Sequence, residues 1–168
     1  MEQDPAAQDP AEHDPAEQYP VDVEALDAAM AASHAIVGTA VQAMTMELPD
    51  ITLPVSRALL VLARRGTQRP SDLAPELGVS AATAGRVINR LVKDGLAERS
   101  ADPEDRRSVR ATLTDKGRLV VEAVLERRRG AFAGYLAAIP PEQQKDLGLA
   151  FRAFAAASDH APDLTWPG

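Results

Sequence analysis

Residues 71–117 read SDLAPELGVSAATAGRVINRLVKDGLAERSADPEDRRSVRATLTDKG, and their order decides the fold. Ser71 is placed as the N-cap of a short helix that ends before Gly78. Ser80 caps a second helix over Ala81 to Asp94, and Gly95 stops it. Leu96 to Ser100 and Val109 to Leu113 alternate apolar and polar residues as two strands. The charged loop between them, Ala101 to Ser108, opens with Asp102-Pro103, which favours a turn. Thr114 then caps a new helix. Helix, tight turn, helix, strand, loop and strand is the order of a winged helix-turn-helix.

The second of these helices is expected to bury Val87, Ile88, Leu91 and Val92. Its other face offers Ala81, Thr83, Ala84, Arg86, Asn89, Arg90 and Lys93. A helix in a major groove reads base edges with short polar or forked side chains. Thr83, Arg86 and Asn89 fit that task, next to Ser80 and Ala81 at the helix start. Arg86 is the best candidate for a base or nearby phosphate, and Arg90 and Lys93 suit phosphates. Each is equally readable as a solvated surface charge. Gly85 costs about 1 kcal/mol relative to Ala in mid-helix. Either the helix approaches a groove closely there, or it packs closely on the preceding helix.

In the hairpin loop, Arg106 and Arg107 follow Asp102, Glu104 and Asp105. An arginine at a wing tip can enter a narrow minor groove, where the potential is most negative. Asp105 can accept a bond from a guanidinium and fix its direction, or the Asp105–Arg107 pair simply pins the hairpin.

Working outward, a helix starting near Pro54 carries Val55, Leu59, Leu60 and Leu62, and ends at Gly66 after Arg64 and Arg65. A longer helix is expected over Val21 to Glu47, capped by Asp22. It is apolar on more than one side (Val23, Leu26, Met30, Val37, Val41, Met44), which suits burial by a second subunit as well as by its own core. His34 lies among these residues, as a core or interface histidine or a ligand contact. Beyond Thr114, a helix over Asp115 to Ala138 carries Leu119, Val120, Val124, Leu125, Phe132 and Leu136. Pro140-Pro141 breaks the chain, and a last helix to Ser158 carries Leu147, Leu149, Phe151 and Phe154. The expected organisation is therefore a disordered acidic Pro-rich tail (1–20), an N-terminal dimerisation helix and loop (21–53), the winged helix-turn-helix (54–113), C-terminal dimerisation helices (114–158) and a tail (159–168). The fold class is mainly α with a small β-hairpin wing.

Charge divides the same way. The chain's formal charge is −7, yet residues 54–129 hold 16 Lys and Arg against 10 Asp and Glu, a local charge of +6. The rest holds 2 basic and 15 acidic residues. Nucleic-acid binding follows the local field, not the total. The repeated DPAAQ, DPAEH, DPAEQ units of the first 20 residues have little to bury; they are a solvated extension or a competitor with DNA for the basic module. The absence of cysteine excludes thiol redox switches, disulfides and cysteine zinc sites, and fits a reducing cytoplasm. No signal peptide and no membrane span are read. No phosphate loop, no His/carboxylate motif and no triad spacing is present. An enzyme is not expected, and neither catalytic residues, a metal nor a cofactor is assigned.

Four stretches carry a resemblance: Leu53-Pro-x-x-Arg57, Ser71-Asp-Leu-Ala-x-x-Leu-Gly-Val-Ser80, Arg90-Leu-Val-x-x-Gly-Leu-x-Glu-Arg99, and Asp102-Pro-x-Asp-Arg-Arg107 with Leu113-Thr-x-x-Gly117. Together they closely resemble the MarR family of transcriptional regulators over about residues 22–158. The resemblance implies a triangular homodimer with a base built from the first and last two helices. Two winged lobes would then read a palindromic operator. It makes Ala81 to Asp94 the recognition helix and Arg107, supported by Asp105, the minor-groove residue, with Arg106 able to share that role. It implies a repressor released by a small aromatic or phenolic ligand bound between base and lobe, where His34, Thr39, Met44 and Arg57 are candidate contacts or ordinary core residues. The competing reading is a winged helix turned protein-interaction module without specific DNA binding.

Overall fold

The computed structural model describes residues 20–102 and 109–157. The wing residues Asp105, Arg106 and Arg107, nearly all of the acidic tail and the C-terminal tail lie outside them. In chain order the elements are α1 (Val23–Glu47), α2 (Leu53–Arg65), α3 (Pro70–Leu77), α4 (Ala81–Lys93), β1 (Ala97–Ala101), β2 (Val109–Leu113), α5 (Asp115–Ala137) and α6 (Pro141–Ala157). The chain divides into two units at Ile36–Val37, within α1. In the first, Asp22 Oδ1 accepts from the Ala25 backbone at 3.0 Å, the expected cap, and Val23, Leu26 and Met30 are exposed.

The core of the second unit is the winged helix-turn-helix. Ala58, Leu59 and Leu62 of α2, Leu73 and Leu77 of α3, and Ala84, Ile88 and Leu91 of α4 form one cluster with Leu96, Ala111 and Leu113 of the hairpin and Val121 of α5. At about 25 cal/mol per Å2 of apolar surface removed from water, each buried leucine here stabilises by roughly 2 kcal/mol. A smaller cluster joins Ala43 and Met44 of α1 to Val124 of α5. Among the described residues no helix is long and apolar enough to cross a membrane.

Local chemistry moves several expected boundaries. α3 begins at Pro70, one residue before Ser71, and its N-cap is Arg69. Proline suits a first helical position because its missing N–H would have no partner there. The carboxylate of Asp72 accepts from the Arg69 backbone N–H at 3.2 Å, so Asp72, not Ser71, satisfies the helix start. β1 begins at Ala97 rather than Leu96. The Leu96 N–H is held by the Leu91 carbonyl at 2.9 Å, and its own carbonyl accepts from Thr114 N at 3.1 Å. Leu96 thus closes α4 and braces the start of α5 before the strand begins. The antiparallel register runs from Ala97↔Leu113 to Ala101↔Val109. A further bridge pairs Gln68 with Ala111, so the residues leading into α3 extend the hairpin sheet.

Two burial assignments on α4 are also corrected. Ala84 is fully buried, not on the open face, and Val92 is exposed. Ala84 is one turn before Ile88 and two before Leu91, within the stripe that faces the core. Gly85 does not mark tight packing on α3, since a Cβ built there meets nothing within 4 Å.

Candidate nucleic-acid interface

The exposed surface of the helix-turn-helix is set by the caps that position α4. Gly78 takes the left-handed conformation at φ 65°, and its N–H reaches the Ala74 and Pro75 carbonyls. That turns the chain sharply into Ser80. Ser80 Oγ accepts from Thr83 N at 3.2 Å and shares a hydrogen with Thr83 Oγ1 at 3.0 Å. Thr83 Oγ1 in turn accepts from Arg86 Nη2 at 2.8 Å. The cap of α4 is therefore also the hold on Arg86. Fixing a guanidinium before it meets a partner lowers the entropy lost on contact.

Ala82, Arg86, Asn89 and Lys93 recur at spacings of four, three and four, which places them on one face, and all are exposed. Ala81 and Arg90 flank that face. The structure thus brings Ser80, Ala81, Thr83, Arg86, Asn89, Arg90 and Lys93 onto one continuous surface. It also shows that Arg90 is already engaged. Its Nε lies 2.6 Å from Asp94 Oδ2, and that bond, then the Asp94 charge, raises the guanidinium above its ordinary value. A phosphate at Arg90 must compete with Asp94. Arg86, Asn89 and Lys93 are the stronger candidates. The i,i+4 spacing of Arg90 and Asp94 is legible in the sequence.

A residue read only as part of the wing loop has a larger place. Asp102, just after β1, is buried. Arg69 from the α3 N-cap and Arg110 from β2 both form ion pairs with its Oδ2. Arg69 lies 33 residues before it, so no local pattern announces that pair.

Of the proposed effector contacts, Met44 and Arg57 line one cavity. His34 belongs to the first unit and is exposed there. Thr39 is buried, with its hydroxyl 3.0 Å from the Tyr135 hydroxyl of α5, beside a shallow cleft that includes Gln42 and Arg127. The cavity at Met44 and Arg57 has a volume of about 300 Å3. Ala40, Val41, Leu60 and Val124 give it an apolar body; Thr45, Ser56, Arg57 and Arg128 give it polar atoms, and among the described residues no carboxylate lines it. Arg128 Nε is buried there without a hydrogen-bond partner among the described residues. Sequence reading missed Arg128, one of three consecutive arginines with nothing to single it out.

Residues 51–109 match the model of the MarR family. The HTH-type transcriptional regulator YfiV of Bacillus subtilis is 30% identical over 96 residues, 57% of this chain and 60% of YfiV. The HTH-type transcriptional repressor MdtR of the same organism is 28% identical over 99 residues, 59% of this chain and 64% of MdtR. The chain therefore matches somewhat under two thirds of the length of either relative. Among solved structures, RV1404 from Mycobacterium tuberculosis superposes with a TM-score of 0.78 at 32% identity, covering 86% of this chain and 99% of RV1404. A MarR family protein from Bacillus stearothermophilus gives 0.65 at 22% identity, covering 80% and 96% of the two chains, a likeness of fold alone.

Proposed function

Because this chain belongs to the MarR family of transcriptional regulators, we propose that it is a DNA-binding repressor acting as a homodimer on a palindromic operator in the cytoplasm. The observation that carries the reading is the exposed face of α4, with Arg86 held by Thr83 and Ser80. That face is part of a region of charge +6. Local positive charge draws in the phosphate backbone, and oriented side chains then sort base edges. Arg86, Asn89 and Thr83 read the major groove, while Lys93 and Arg90 meet phosphates. The wing adds Arg107 in the minor groove, directed by Asp105, with Arg106 beside it.

Dimerisation is supported by apolar side chains that the single chain leaves uncovered. Leu149, Phe151 and Phe154 of α6, Tyr135 and Leu136 of α5, and Val37 and Val41 of α1 are all exposed in the second unit. Large apolar side chains left in water on this scale suit burial by a second copy of the chain. MdtR, by name a repressor, supports the direction of control. The cavity at Met44 and Arg57 supports a small effector with an apolar body and one negative charge, the chemistry of an aromatic acid. Selection from a random duplex pool with the full chain is expected to enrich a palindrome. Light scattering should give twice the chain mass. Enrichment of nothing above background would remove the reading.

A further inference from the structure

The hairpin of a winged helix is a two-stranded ribbon, and such a ribbon holds no direction by itself. Here its base is fastened to the segment leading into α3. Gln68 N donates to the Ala111 carbonyl at 3.0 Å, and Ala111 N donates back to the Gln68 carbonyl at 2.8 Å. The Thr67 and Thr112 hydroxyls share a hydrogen at 2.6 Å. At the centre is Asp102, whose side chain is 0% exposed. Arg69 Nε donates to its Oδ2, and Arg110 Nε is 2.9 Å from the same oxygen. One carboxylate just after β1 thus joins the N-cap of α3 and the start of β2.

Among the described residues one carboxylate faces two guanidiniums, whose side chains are 31% and 27% exposed. A carboxylate taken out of water needs its partners, so Asp102 commits both arginines to one geometry. We infer that Asp102 is a specificity-determining positioning residue. It fixes the hairpin against the α3–α4 head and keeps Arg69 and Arg110 from pairing with whatever phosphate is near. The inference rests on the DNA-binding reading above. A sequence-specific complex needs head and hairpin in one register, whereas non-specific binding needs only positive charge. Loss of Asp102 therefore trades one for the other.

The test uses the full chain and two duplexes: the one enriched by the wild-type protein, and a scrambled duplex of equal length and composition. Asp102→Asn is expected to lower the preference for the enriched duplex by about tenfold. Binding to the scrambled duplex should hold or tighten, with a salt dependence steeper by about one phosphate contact. Arg69→Gln cuts the tie to α3 while leaving the Asp102–Arg110 pair. It should lower the preference as well, and it decides the matter if Asp102→Asn does not fold. A role confined to stability would weaken both duplexes together and leave their ratio unchanged. That unchanged ratio in a folded variant overturns the inference. If the wild-type protein enriches no duplex, the DNA-binding reading fails and this inference with it.

Discussion

Arg57 on α2 donates from Nη2 to the carbonyl oxygen of Glu76, in the last turn of α3, at 2.6 Å. The same residue lines the cavity shared with Met44 and Arg128. One side chain therefore touches both the proposed effector site and the helix that positions α4. A carboxylate bound at Arg57 would compete with the Glu76 carbonyl, and α3 would lose one of its ties to α2. A second polar tie, Arg65 to the Glu76 carboxylate at 2.8 Å, lies toward the surface, beside the apolar packing of the two helices. Arg57→Gln should abolish most of the thermal shift produced by an aromatic acid, at a cost of about 1 kcal/mol in stability without ligand. A variant that keeps the full shift would show that the acid binds elsewhere.

Gly117 packs the first turn of α5 on the junction of α4 and β1. A Cβ built there would be 2.0 Å from the Leu96 carbonyl oxygen and 3.3 Å from Leu113 Cδ2. The nearer neighbour is backbone, held by Thr114 N, and has little room to give. Gly117→Ala should therefore destabilise the fold by about 1–3 kcal/mol, read as a lower urea midpoint. An unchanged midpoint would mean that α5 can shift freely on the hairpin base.

Gly85 presents the opposite case. Nothing lies within 4 Å of a Cβ placed there, so the fold itself does not require glycine. Gly85→Ala should stabilise by about 0.5–1 kcal/mol, because glycine in a helix interior carries that cost. If α4 approaches a groove closely, the same change should weaken binding to the enriched duplex. Greater stability with unchanged affinity would exclude the groove as the reason for glycine.

The helix-turn-helix and hairpin were legible because their signals are local. Ser80 and Thr114 cap the helices expected of them, accepting from Thr83 N and Gly117 N. Gly66, Gly78 and Gly95 all have positive φ at the ends where a stop was expected. The candidate face on α4 followed from helical spacing, and the structure corrects it at Ala84 and Val92, where neighbouring helices and the hairpin decide burial. Asp102 was not legible, since Arg69 precedes it by 33 residues and nothing in a one-dimensional pattern joins them. Arg128 was not legible for a related reason: three arginines in a row differ only in which faces the cavity. The apolar residues of α6 were legible as members of a helix, but no α6 residue is buried within the chain. That is the pattern of a surface completed by another molecule.

The central claim is that α4 and the wing read DNA. Its most direct test is fluorescence anisotropy of the enriched duplex, measured with wild type, Arg86→Ala and Arg107→Ala across a range of salt. The expected result is a steep fall of affinity with salt and a loss of about 1–3 kcal/mol in each variant, with melting temperatures close to that of wild type. Wild-type affinity in both folded variants, or binding indifferent to salt, would contradict it.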